Sequence, residues 1–377
     1  MKIIYCIAGL RHSGGMERVL TNKANYLAAQ GCEVLIITTD QCGEQNFFPL
    51  SPEVRTIDLA INYEENNEKG LLNKLLHYPL KQLRHKKRLT QLLKREKADV
   101  VISMFCNDAS FLWKIKDGSK KVLEIHFSRF KRLQYGRTAI WGAVDRLRSR
   151  MDLDAVKRYD RFVVLTHEDS GYWGELPNMT VIPNARTFEP AETAALVNKR
   201  TIAVGRYNYQ KGFDDLIAAW ALVTPSHPDW QLCIFGDGEL RETLQKQVDD
   251  LGLSEHIQLC RPVKDIGAEY LNSSLVAMSS RYEGLPMALL EGQAYGLPIV
   301  SYTCKCGPRD ILTDGVDGFL VPEGDIKALA DRMQRIMADD ELRKSMGAAA
   351  KKNSARFSEE IVMQQWLELF KELSSVC

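Results

Sequence analysis

The chain has 377 residues, a formal net charge of +1, 45% hydrophobic and 26% charged residues. That length predicts two domains, each able to bury its own core, and no stretch approaches the roughly 18 apolar residues of a membrane-spanning helix. The near-neutral total hides an asymmetry: residues 1–190 carry 30 Lys and Arg against 22 Asp and Glu, and the remainder 20 against 27, so the halves are expected to meet different partners.

Met1 to Leu10 is short, apolar and broken at Arg11-His12 without a small-residue cleavage site, so it reads as a first buried strand and not a secretory signal. Nine cysteines at spacings that suggest no disulfide framework fit a reducing cytoplasm. In chain order, Ile3 to Ala8 is predicted as a strand, Met16 to Gln30 as a helix stopped by Gly31, and Glu33 to Thr39 as the next strand. The stretch from Glu64 to Arg95 is polar, then basic, and the least determined. Strands follow at Asp99 to Met104, Lys121 to Ile125 and Arg161 to Thr166. The second half repeats the scheme, with strands at Thr201 to Val204, Gln231 to Phe235, Ile257 to Cys260, Leu275 to Met278, Pro298 to Ser301 and Gly318 to Val321. Helices fall between them, as at Phe213 to Val223 and Gly238 to Leu251. Short apolar strands alternating with helices predict two α/β domains, each a Rossmann-like, doubly wound parallel sheet, with ligands at the carboxyl ends of the strands. The boundaries are placed at 1–185, 186–357 and a last helix from 358.

The segment from Ser279 to Pro298 carries the most chemistry. It follows a buried strand, turns at Glu283-Gly284, sets Pro286 where a first helical residue would stand, and continues as a helix from Met287. Gly284, Leu285, Pro286 and Met287 therefore lie at a helix N-terminus, where free N–H groups and the positive dipole end suit a phosphate. Glu283 and Glu291 bracket that site. Carboxylates do not grip phosphate, so a ligand with hydroxyls beside its phosphates, a sugar nucleotide, is expected. Arg206 and Lys211 follow a strand end; fixed cations there would stabilise a departing diphosphate. Gly236-Asp237-Gly238-Glu239 follows another strand as a short loop that could pass a nucleoside base, and its plainer reading is a strand-to-helix turn.

In the first half, Ser13-Gly14-Gly15-Met16 lies between a strand and a helix, where Gly14 and Gly15 would let backbone approach a ligand. His126 stands at a strand's carboxyl end, Asp152-Leu153-Asp154 has a metal-ligating spacing but falls in a helical stretch, and Cys304-Lys305-Cys306 is too isolated for zinc. Lys81, Arg84, Lys86, Lys87, Arg88, Lys94, Arg95 and Lys97 leave Glu96 as the lone acid of residues 81–97, and Arg129, Lys131, Arg132 and Arg137 extend the basic character. With no interleaved aromatics or recognised motif, nucleic acid is not expected. The run suits an anionic partner such as phospholipid or, on the resemblance given below, a pyrophosphate-linked acceptor, beside the plainer reading of a solvated helix face.

Taken in order, these pieces resemble the retaining glycosyltransferases of family 4, with the GT-B fold. The resemblance rests on the opening strand and Gly-Gly turn, Val181-Ile182-Pro183-Asn184-Ala185, Val204-Gly205-Arg206 with Gln210-Lys211-Gly212, Phe235 to Glu239, and Glu283 with Glu291 seven residues on. It runs nearly the whole chain. Cys306-Gly307-Pro308-Arg309-Asp310-Ile311 resembles a subset that builds surface polysaccharides and lipid-linked oligosaccharides, mostly from UDP-sugars. The resemblance implies a metal-independent transfer of a hexose or N-acetylhexosamine, with no cofactor beyond the nucleotide-sugar substrate. The second domain would hold the donor and the first the acceptor, at a cleft between them, with the last helix, Ser358 to Leu373, crossing back to the first domain. It implies Arg206 and Lys211 on the pyrophosphate, Glu283 and His126 on the donor sugar, and Glu291 on the ribose hydroxyls. Gly14 and Gly15 would face the donor, and Arg261-Pro262-Val263 would wall the base. The rivals are a UDP-sugar epimerase of the same fold and a catalytically silent glycan- or nucleotide-binding partner; a nicotinamide-dependent oxidoreductase fits worse. Sugar, linkage, acceptor, oligomeric state and pathway stay open.

Overall fold

A parallel strand buried on both faces needs a helix on each side, and both halves of the chain supply them. The computed structural model describes residues 1–66, 71–130 and 139–375; the basic residues Lys131, Arg132 and Arg137 lie outside this set. The chain divides into two compact units. One joins residues 1–165, 170–182 and the C-terminal segment from Val362, and the other joins 166–169 and 183–361.

The first unit carries β1 (Lys2–Ile7), α1 (Gly15–Ala29), β2 (Glu33–Thr38), β3 (Arg55–Asp58), α2 (Leu71–Glu96), β4 (Val100–Ser103), β5 (Lys120–Glu124), α3 (Ala139–Val156) and β6 (Arg161–Val164). The helix α4 (His167–Trp173) and β7 (Met179–Val181) follow. The sheet order is β3-β2-β1-β4-β5-β6-β7, every pairing parallel, with Ile4 opposite Leu35 on one side and Val101 on the other. The order reverses between β1 and β4, so their carboxyl ends form the switch point. Ile4, Leu35, Val101, Leu123 and Phe162 are fully buried at its centre, against Leu89 and Leu93 of α2.

The second unit contains β8 (Arg200–Val204), α5 (Phe213–Val223), β9 (Gln231–Phe235), α6 (Arg241–Asp250), β10 (Ile257–Cys260), α7 (Ile266–Leu271) and β11 (Leu275–Met278). Then come α8 (Met287–Ala294), β12 (Ile299–Tyr302), α9 (Pro308–Ile311), β13 (Gly318–Val321), α10 (Ile326–Ala338) and α11 (Asp340–Ser354). Its sheet, β10-β9-β8-β11-β12-β13, is also wholly parallel, and the order reverses between β8 and β11. The last helix, α12 (Glu359–Ser375), buries Trp366 and Phe370. Two parallel Rossmann-like sheets are the α/β architecture that the alternation predicts.

Several local expectations need correction. β3 and β7 are strands where none is predicted: β3 is an edge of charged and polar residues, exposed at Arg55 and Thr56, and β7 has only three, partly exposed residues. Residues 71–96 form one helix of 26 residues that runs through Pro79, although proline removes a backbone donor. α6 begins at Arg241, not Gly238, because Gly238 to Leu240 form the turn that carries Leu240 N–H to the Tyr207 carbonyl. Pro286 is the N-cap of α8, one residue before the first helical position.

His85 on α2 is buried, with Tyr63 Oη 3.1 Å from Nδ1 and the Phe111 ring edge-on at 5.1 Å. Burial pushes its pKa down from 6.5 to about 4, so the folded state holds it neutral. A depressed histidine binds fewer protons folded than unfolded. Stability should therefore fall as pH drops through the window from 6.5 towards 4, by on the order of 3 kcal/mol once both states are protonated. Chemical unfolding across that window checks this, and His85→Gln should flatten the profile.

Candidate active site

In the second unit the switch point gathers the chemistry. β8 and β11 are neighbours, so the loop after β8 (Gly205 to Gly212) and the loop after β11 (Ser279 to Pro286) leave the sheet side by side. The first loop closes as a three-ten turn over Tyr209–Lys211, where the Asn208 side chain accepts the Lys211 N–H at 3.3 Å. Gly212 then takes φ 59°, the left-handed region, and a Cβ there would overlap the Ser279 carbonyl oxygen, so the position demands glycine. Ser279 Oγ donates to the Lys211 carbonyl at 3.1 Å, which ties the two loops together. Gln210 Nε2 adds a bond to the Tyr282 carbonyl at 2.9 Å.

The turn aims Lys211 at Glu283. Nζ donates to Oε1 at 2.7 Å, with the two side chains 19% and 8% exposed. Sequence spacing presents both residues but gives no sign that they pair. Arg206, by contrast, is exposed, and its guanidinium makes no hydrogen bond or ion pair among the described residues. Arg281 anchors the same region, donating to the Tyr209 carbonyl at 2.8 Å and to Asp214 Oδ2 at 2.7 Å.

Gly284, Leu285 and Pro286 lead into α8, whose N-terminus has no side-chain cap. Gly307 lies hard against this turn, since a Cβ there would overlap the Pro286 ring. Glu291 sits one turn along α8 and is buried, and its Oε2 accepts the Tyr270 hydroxyl at 3.0 Å. Tyr270 stacks on Tyr295, ring centroids 5.6 Å apart. Tyr270 is a residue that sequence reasoning misses, because a tyrosine on α7 carries no motif that links it to a carboxylate on α8. Gly236 lies against the β8 loop, where a Cβ would overlap the Gly205 carbonyl oxygen. Asp237 is exposed, caps the Gly238 N–H at 3.0 Å and meets Arg261 at 3.3 Å; Val263 is 42% exposed.

The remaining sequence candidates belong to the first unit. Gly14 is the extended N-cap of α1 and accepts the Arg18 N–H, and Gly15 has open space around it. His126, at the end of β5, places Nε2 3.0 Å from Glu124 Oε1. Glu124 is fully buried and also meets Lys23 of α1 at 2.5 Å. Burial alone would raise the Glu124 pKa, but Lys23 and His126 outweigh it and hold the carboxyl at about 2. Asp152 and Asp154 lie within α3, and Cys304 and Cys306 are buried thiols. Among the described residues no group of three or more His, Cys, Asp or Glu could hold a metal ion.

This fold and this loop pair define a class. Residues 13–186 match the family model described as Glycosyltransferase Family 4, and residues 186–353 match the one described as Glycosyl transferases group 1. The chain belongs to the family 4 glycosyltransferases, with the GT-B fold. It is 34% identical over 220 residues to the amylovoran biosynthesis glycosyltransferase AmsD of Erwinia amylovora, covering 56% of this chain and 62% of that one. It spans only 24% of the exopolysaccharide phosphotransferase of Streptomyces coelicolor, to which it is 36% identical over 224 residues. The chain thus covers less than two thirds of these two relatives. An α-1,4-N-acetyl-D-galactosaminyltransferase of Campylobacter jejuni, named for its diNAcBac-PP-undecaprenol-linked substrate, is 27% identical over 380 residues, covering 100% of this chain and 99% of that one. Among solved structures, sucrose-phosphate synthase from Thermosynechococcus elongatus superposes with a TM-score of 0.84 at 18% identity, covering 100% of both chains.

Proposed function

We propose that this chain transfers a hexose or N-acetylhexosamine from a nucleotide sugar, UDP-linked, to a glycan or lipid-linked acceptor in the making of surface polysaccharide. The observation that carries the reading is the Lys211–Glu283 pair beside the uncapped start of α8, at the switch point of the second unit. Lys211, the free Arg206 guanidinium and the α8 N–H groups offer fixed positive charge where a nucleoside diphosphate gains negative charge as the glycosidic bond breaks. Glu283 would accept hydroxyls of the donor sugar, and Glu291, oriented by Tyr270, those of the ribose. His126, Gly14 and Gly15 would act on the donor from the first unit, and Gly236, Asp237 and Val263 would border the base.

The reaction retains anomeric configuration. None of these groups is placed as a nucleophile in this reading, so the departing phosphate itself assists the acceptor hydroxyl on the same face. The cations and the helix terminus take the electrostatic role, which makes the transfer independent of added metal. The lipid-linked acceptor follows the full-length relative named for an undecaprenol-linked substrate. Peripheral association with an anionic membrane face belongs to the same reading; no described helix is long and apolar enough to cross a membrane.

The test is release of UDP and transfer of labelled sugar to extracted lipid-linked glycans, with and without a strong chelator. Transfer that needs acceptor and survives the chelator is expected. Acceptor-free conversion of UDP-N-acetylglucosamine to its epimer would point to the epimerase instead. Complete loss in chelator, restored by manganese or magnesium, would remove metal independence.

A further inference from the structure

The segment Cys304-Lys305-Cys306-Gly307-Pro308-Arg309-Asp310 has no role in the proposed transfer, yet its backbone is unusual. Cys306 is fully buried and takes φ 67°, a left-handed conformation that strains any residue with a side chain, and Gly307 follows at φ 105°. Two such residues in a row persist only where their surroundings hold them. The holders are Glu168 and Asp169, in the first turn of α4, and residues 166–169 group with the second unit. Glu168 Oε2 accepts the Cys306 N–H at 3.1 Å, and the Cys306 thiol donates to Asp169 Oδ1 at 3.2 Å. Asp310 answers from the other side. Its carboxylate accepts the His167 N–H at 2.7 Å and the Glu168 N–H at 3.3 Å, so it caps the helix turn that carries both holders. Arg309 completes the clasp, donating to Glu168 Oε1 at 3.1 Å and to the Thr303 carbonyl at 3.3 Å.

The clasp reaches the turn before α8 by two routes. The Glu283 N–H donates to the Lys305 carbonyl at 3.3 Å, and Tyr282 and Lys305 form a parallel bridge. Gly307 then packs on the turn itself, where a Cβ would stand 2.3 Å from Pro286 Cδ and 3.4 Å from Leu285 Cα. Only glycine permits that approach. Since α8 has no side-chain cap of its own, its first turn is fixed from outside. We propose that Glu168 and Asp169 are positioning residues for the phosphates of the nucleotide. Acting through Cys306 and Gly307, they hold the turn from Glu283 to Pro286 so that the N–H groups at the start of α8 face the diphosphate. Both act through the backbone of the clasp, because a carboxylate set directly on a phosphate would repel it. This role rests on the nucleotide-sugar reading above and names what keeps its anion site in shape.

Two measurements on the full chain test it: hydrogen exchange without ligand, read by mass spectrometry, and calorimetric titration with UDP. In Glu168→Ala, peptides over the turn from Tyr282 to Leu289 should exchange faster than in the wild type, while those over β9 and β10 stay unchanged. UDP should bind that variant about tenfold more weakly, the scale of one lost hydrogen bond to a charged group. Glu168→Gln keeps an oxygen that can accept the Cys306 N–H, so it should lie close to the wild type in both readouts. Asp169→Ala removes the acceptor of the Cys306 thiol and should move both readouts the same way as Glu168→Ala, which keeps the test decisive should Glu168→Ala fail to fold. Circular dichroism and thermal melting establish which variants are folded. A wild type that does not bind UDP overturns the nucleotide-sugar reading and this role with it. A wild type that binds UDP, beside folded variants that bind it equally well or exchange no faster over the turn, overturns this role alone. Faster exchange spread evenly over the second unit, or a Glu168→Gln as weak as Glu168→Ala, overturns it too, because the loss is then a general one.

Discussion

Arg206→Ala should lower turnover by on the order of a hundredfold or more, the loss seen when a preorganised stabilising donor is removed, while unfolding free energy stays within about 0.5 kcal/mol of the wild type. The two halves of that expectation have separate causes. The guanidinium is exposed and makes no bond within the described protein, so the fold does not need it; the loss of turnover follows from its proposed role on the diphosphate. Lys211→Ala should lose as much turnover and also some stability, because Glu283 is then buried without its cation. Lys211→Met combined with Glu283→Gln should recover the stability and not the activity. Steady-state kinetics beside chemical unfolding separate these outcomes, and unchanged turnover in both single variants would remove the pyrophosphate assignment.

Lys23→Met should destabilise the chain by about 3–5 kcal/mol at neutral pH, the usual cost of stripping one partner from a buried ion pair. Lys23 and Glu124 are each 5% exposed or less, and Lys23 Nζ also lies 3.8 Å from the centre of the Trp366 ring on α12. The pH dependence gives the sign. In the wild type the carboxyl titrates at about 2, below its ordinary 4.5, so its stabilisation is complete above 4.5 and is lost as pH falls towards 2. Without Lys23 the larger part of the charge compensation is gone and burial pushes the carboxyl up. The gap between variant and wild type should therefore be widest at neutral pH and narrow in acid. Urea unfolding at pH 7 and pH 4.5 reads this directly, and an equal gap at both would contradict it. His126 shares the same carboxylate, so Glu124→Gln should disturb its setting as well.

How far the sequence discloses the molecule depends on whether a signal is local. Phe213 to Val223 is read correctly as a helix and Gln231 to Phe235 as a strand because each has the apolar pattern of a buried element. β3 escapes because an edge strand ending Ile57-Asp58 lacks that pattern, and α2 is obscured by Pro79 and by its dense charge. At the candidate site, the loops that hold Arg206, Lys211 and Glu283, and the helix start that carries Glu291, are legible from glycine, proline and spacing. Their partners are not. Lys211 meets Glu283 across 72 residues of sequence, Tyr270 meets Glu291 from another helix, and Lys23 meets Glu124 across 101 residues. A lysine in a helix reads as solvated until tertiary structure closes over it.

The central claim is that the second unit binds a nucleotide sugar at the β8 and β11 loops. Thermal unfolding with a panel of nucleotide sugars, run on the wild type and on Arg206→Ala, tests it most directly. One or more UDP-sugars should stabilise the wild type, by about 2.7 kcal/mol at a hundredfold excess over the dissociation constant, and the variant far less. A wild type that no nucleotide sugar stabilises, or a variant stabilised equally, would contradict the account.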